Sequence, residues 1–60
     1  MTIYSVRRVS ARGEVNYSKT FETYRKAINA VGRLQEKSSK SSTIHLLEND
    51  RVIDTSTGLV

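Results

Sequence analysis

Between Thr23 and Lys37 the chain carries one clear 3.6-residue apolar repeat, and that single amphipathic stretch limits the fold more than any other feature. Thr23 is a residue type that caps helix N-termini, so the pattern predicts a helix over 24–37. At about 100° per residue, Tyr24, Ala27, Ile28, Val31 and Leu34 share one arc, while Lys26, Arg33 and Lys37 fall on the opposite side. Gly32 interrupts this helix at a cost of about 1 kcal/mol relative to alanine. One such helix covers one face of a small sheet, so the flanking segments must supply that sheet.

They read as four strands. Residues 2–9, Thr2 to Val9, are rich in β-branched and aromatic types, and 14–20 alternate apolar with polar residues. Between them, Gly13 is placed for the left-handed position that closes a hairpin. After the helix, Ser38-Ser39-Lys40-Ser41-Ser42 is the one low-complexity stretch and reads as a flexible loop over 38–42. Strands at 43–48 and 51–55 then flank Asn49-Asp50, two types that tolerate positive φ in a two-residue turn. The tail, 56–60, is expected to fray. The order is ββαββ: an α+β domain spanning 1–60, a small antiparallel sheet with one helix packed on one face.

Leu, Ile, Val and Phe supply 15 of the 60 residues, a quarter of the chain and above the roughly one-fifth below which chains stay unfolded. Cysteine is absent, which removes disulfides, thiolate chemistry and cysteine-held metal. No apolar run approaches the roughly 18 residues of a membrane span, and no signal-peptide core opens the chain. A soluble, cytoplasmic protein without membrane contact is the expectation.

The strands hold more apolar side chains than one helix can shelter. Parity sends Val15 and Tyr17, Ile44 and Leu46, and Tyr4 and Val6 toward the helix. The other face then receives Ile3, Val9, His45, Leu47 and one of Val52 or Ile53. Two readings stand open: bulges turn some of these inward, or Ile3, Val9 and Leu47 form an apolar contact surface, self-paired in a homodimer or docked on another protein.

Charge sharpens the partner question. Residues 1–40 carry a net +6 and residues 41–60 a net −2, giving a basic body and an acidic corner. One histidine, His45, and no recognisable catalytic motif argue against an enzyme. Glu48, Asp50 and Asp54 lack the spacing of a cation-binding loop, so neither metal nor cofactor is expected. The foremost expectation is a non-enzymatic binding protein that inhibits or modulates a host protein. The alternative is a small nucleic-acid binder that uses the Arg-rich first hairpin, with Tyr4 and Tyr17 as stacking candidates. The charged contact candidates for either are Arg7, Arg8, Arg12 and Lys19 on that hairpin, with Lys26, Arg33, Lys37 and Lys40 beyond it.

The phrase Lys19-Thr20-Phe21-Glu22-Thr23-Tyr24-Arg25-Lys26-Ala27 is similar to a Phe-x-Thr-x-x-x-Ala pattern common where a strand hands over to a helix in small α/β proteins. As a whole the chain resembles short proteins encoded by bacteriophages and other mobile elements. In length and element order it resembles the phage antitoxin family Dmd, which blocks a bacterial RNase toxin by binding it. The resemblance implies a cytoplasmic, inhibitory protein–protein role; with no motif shared, it assigns no functional residue. A looser likeness, to the arm-binding domains of tyrosine recombinases, departs at the strand count, two ahead of the helix here against three there.

Overall fold

A computed structural model describes all sixty residues. The elements are β1 (Tyr4–Val9), β2 (Val15–Phe21), α1 (Tyr24–Lys37), β3 (Thr43–Glu48) and β4 (Arg51–Thr57). They form one four-stranded antiparallel sheet in the order β2-β1-β3-β4, with α1 packed on one face: the ββαββ, α+β architecture. β2 and β3 both run antiparallel to β1 and are therefore parallel to each other, so α1 must carry the chain back along the sheet between them.

Local chemistry accounts for each turn. Gly13 sits at φ 85°, and its N–H donates to the Ser10 carbonyl at 2.9 Å. Asn49 and Asp50 lie at φ 49° and 67°, the two consecutive left-handed residues of a type I′ hairpin, whose twist matches that of the strands it joins. Thr23 caps α1 as its spacing predicts, its Oγ1 accepting from the Lys26 amide at 3.2 Å.

The core lies between α1 and the two central strands. Val6, Ile44 and Leu46 meet Ala27, Val31 and Leu34, all buried, with Tyr4, Tyr17, Phe21 and Ile28 packed around them. Tyr4 and Tyr24 touch edge to face, centroids 5.7 Å apart, at a favourable aromatic geometry.

Several sequence expectations change. β1 begins at Tyr4, so Ile3 precedes the strand; its amide donates to Asn49 Oδ1 at 3.0 Å and its side chain is half exposed. Arg8 pairs with Tyr17 but Val9 pairs with Val15, which leaves Asn16 as an extra residue in β2. This bulge carries Val15 to the helix-free face, where it is 55% exposed rather than in the core. A second irregularity in β4, at Ile53, puts Val52 opposite Leu47 on that same face.

The loop and tail are corrected together. Instead of a flexible 38–42 and a frayed 56–60, Ser56 and Thr57 extend β4, and the segments bind each other. Lys40 N–H donates to Val60 O, Gly58 N–H to Ser42 O, Leu59 N–H to Gln35 O and Val60 N–H to Ser38 O, all at 2.9–3.2 Å. Gly58 is buried there, and the close approach requires glycine, because a Cβ would run into the carbonyl oxygens of Ser38 and Ser39.

Candidate functional site

The helix-free face resolves into three rows across the sheet in the order β2-β1-β3-β4. Ser18, Arg7, His45 and Thr55 form the middle row, with His45 Nδ1 3.3 Å from Thr55 Oγ1. Thr20, Ser5, Leu47 and Val52 lie on one side of it, and Val15, Val9, Thr43 and Thr57 on the other. Within these rows the apolar groups sit at two opposite corners separated by a polar band, and the half-exposed Ile3 borders Ser5 and Thr20 at the end of the face. Leu47 does lie on this face but is only 2% exposed, so it offers a partner no surface. Of the three apolar contact candidates, Ile3 is half exposed and Val9 partly exposed, while Leu47 is buried.

Basic residues are gathered elsewhere. Between edge strand β2 and the near flank of α1 runs an open groove of about 370 Å³. Tyr17, Lys19 and Phe21 line it from β2; Lys26, Asn29, Ala30, Arg33, Leu34 and Lys37 line it from α1. Four of the nine are cations and none is a carboxylate. The reason is geometric. Positions 26, 33 and 37 fall within about 40° of one another around a helix axis, and the register turns Lys19 to the helix side beside Val6. Lys19 Nζ stands 5.6 Å from the Phe21 ring centroid, so the ring holds its stem along the groove wall.

The polarity of the groove is also fixed. Arg8 lies opposite Tyr17 in the sheet, and its guanidinium donates through Nη1 to Ser38 Oγ at 3.0 Å, just beyond the helix end. Hence Lys37 sits toward the Tyr17 end and Lys26 toward Phe21. Arg8 also donates through Nε to Asn16 Oδ1 at 2.8 Å, tying the β2 bulge to the C-cap of α1. A half-buried cation bonded on both sides is a structural clasp, which gives Arg8 a role inside the fold and away from the groove.

Of the eight charged residues named from the sequence, Lys19, Lys26, Arg33 and Lys37 converge on the groove. Arg7 lies on the opposite sheet face, Arg12 at the exposed Ser10–Gly13 turn, and Lys40 in the stitched loop. The first hairpin is no free ribbon either, since β1 is also paired with β3. Tyr17 and Phe21 belong to the site as its apolar wall, a role that only the edge position of β2 creates. A second cleft of about 310 Å³, among Ile3, Ser5, Thr20, Asn49 and Asp50, gathers no comparable charge. No group of three or more His, Asp or Glu side chains is arranged to hold a metal ion, and no helix is long and apolar enough to cross a membrane. No protein-family model, curated protein or solved structure matches the chain.

Proposed function

We propose that this is a non-enzymatic binding protein whose β2–α1 groove engages an acidic segment of a partner protein, acting as an inhibitor or modulator by occupying that partner's surface. The observation that carries the reading is the groove itself: four cations and no carboxylate around one open channel beside an unpaired strand edge. Like charges held together in this way repel one another and gain from an anion placed among them. The single histidine is engaged with a threonine hydroxyl on the other face, away from the groove, which fits a role without catalysis.

The nucleic-acid alternative draws on the same cations, with Tyr17 and Phe21 as stacking surfaces. Both rings are already packed against the core, which limits the area they offer a base. Titrating the protein with a fluorescent poly-glutamate peptide and with oligothymidine at about 50 and 200 mM salt tests the reading. Peptide binding should weaken with salt, and a Lys26→Ala/Arg33→Ala/Lys37→Ala variant should bind roughly tenfold more weakly, from exposed ion pairs worth ~0.2–1 kcal/mol each. Equal binding by that variant overturns the groove as the site.

A further inference from the structure

Beyond its charge, the groove borders an edge strand whose outer backbone row has no partner. β2 pairs only with β1, and alternate residues along an edge strand turn their N–H and C=O groups outward. Past the bulge at Asn16, Tyr17 to Phe21 run in unbroken register with β1. From Tyr17 to Phe21 that stretch spans about 14 Å. On α1, Lys26 to Lys37 are eleven residues apart, about 17 Å along the axis. The basic stripe therefore runs the full length of the free edge and about 3 Å beyond it, and the helix runs back along the strand.

We propose that the partner segment binds as a fifth strand on the outer edge of β2, carrying acidic side chains at every second position, which point into the groove toward Lys26, Arg33 and Lys37. This deepens the groove reading and rests on it. Side chains of an added strand alternate between faces, so three acidic residues at positions one, three and five would cover about 14 Å of the stripe. The intervening residues would continue the row of Ser18 and Thr20 on the helix-free face, where small β-branched or hydroxyl side chains fit. Backbone pairing supplies the affinity and the alternating acids supply the register.

The chemistry favours a foreign acidic strand over the other occupants. A second copy joined β2 to β2 would bring eight cations to one junction. The other edge, β4, offers one carboxylate, Asp54, on its helix side, with Arg51 and Ser56 beside it. A nucleic acid would neutralise the cations but leave the backbone row of β2 unpaired. Lys19, on this edge, discourages pairing with basic or identical strands and favours an acidic one.

A labelled seven-residue peptide with glutamate at every second position, and threonine or valine between, tests the proposal by fluorescence anisotropy. Two further versions carry N-methyl groups, one on the glutamate amides and the other on the intervening amides. In strand addition only one parity donates to β2. One methylated peptide should then bind about tenfold or more weakly and the other within about twofold of the parent. Amides of alternate β2 residues should also gain hydrogen-exchange protection. If both methylated peptides bind like the parent, yet binding still needs Lys26 and Arg33, strand addition is overturned and the groove reading survives. Tighter binding of oligothymidine than of any peptide overturns the peptide partner. Failure of every anion to bind overturns both readings.

Discussion

At the level of single residues, two side chains have roles opposite to their chemical type, and one glycine is held by close packing. Arg8 is a cation that acts inside the fold. It bonds to Asn16 and Ser38, and Arg8→Ala should lower stability by ~1–3 kcal/mol. Chemical denaturation should show this loss while affinity for an anionic peptide stays unchanged in the folded fraction; unaltered stability would overturn that role inside the fold. Leu47 is an apolar residue on the outer sheet face that is nevertheless buried, so Leu47→Ser should cost roughly 2–5 kcal/mol and fail to fold stably, instead of yielding a folded protein with a weakened contact. Gly58 needs to be glycine through close approach and not through φ. Gly58→Ala should push the tail off Ser38 and Ser39, and the amides of Leu59 and Val60 should lose their exchange protection.

Among the elements, α1 is the one whose sequence signals agree most closely with its structure. Its cap, both bounds and its buried stripe follow from Thr23 and the 3.6-residue repeat. Gly32 is the exception to good helix design. It is exposed, and nothing lies within 4 Å of where its Cβ would be, so Gly32→Ala should stabilise the protein by ~0.5–1 kcal/mol. For a domain of this size that is several degrees in Tm, measurable by calorimetry, and a lower Tm would mean the site is packed in some way its surroundings do not show. The strands are less transparent. Periodicity locates β1 to β4 to within two residues, and Asn49-Asp50 announces its turn, but the bulge at Asn16 reverses the face of Val15. The insertion shifts the parity of the residues before it, and it goes unmarked because the apolar Val15 sits on the exposed face, so Val15-Asn16-Tyr17 still reads as simple alternation.

Taken whole, the molecule gathers four of its cations on one flank, away from the apolar corners of the opposite sheet face. The basic flank of α1 and Lys19 face each other across the groove, while Val9 with Val15, and Val52 over the buried Leu47, occupy two corners of the other face. The middle row of Ser18, Arg7, His45 and Thr55 keeps those corners apart. Solubility at high concentration should therefore depend on salt more than on hydrophobic self-association; a dimer that persists in high salt, seen by sedimentation, would point instead to the apolar corners. The amino-acid order alone determined the elements, the helix cap and the two left-handed turns, because each depends on residues within a few positions of one another, and the excess of positive charge, which is a sum over the chain. Only tertiary structure decided which cations meet. Lys19 joins Lys26, Arg33 and Lys37 because β1 lies inside the sheet and β2 at its edge. That order reflects competition among pairings of residues distant in the chain, and no local pattern records its outcome.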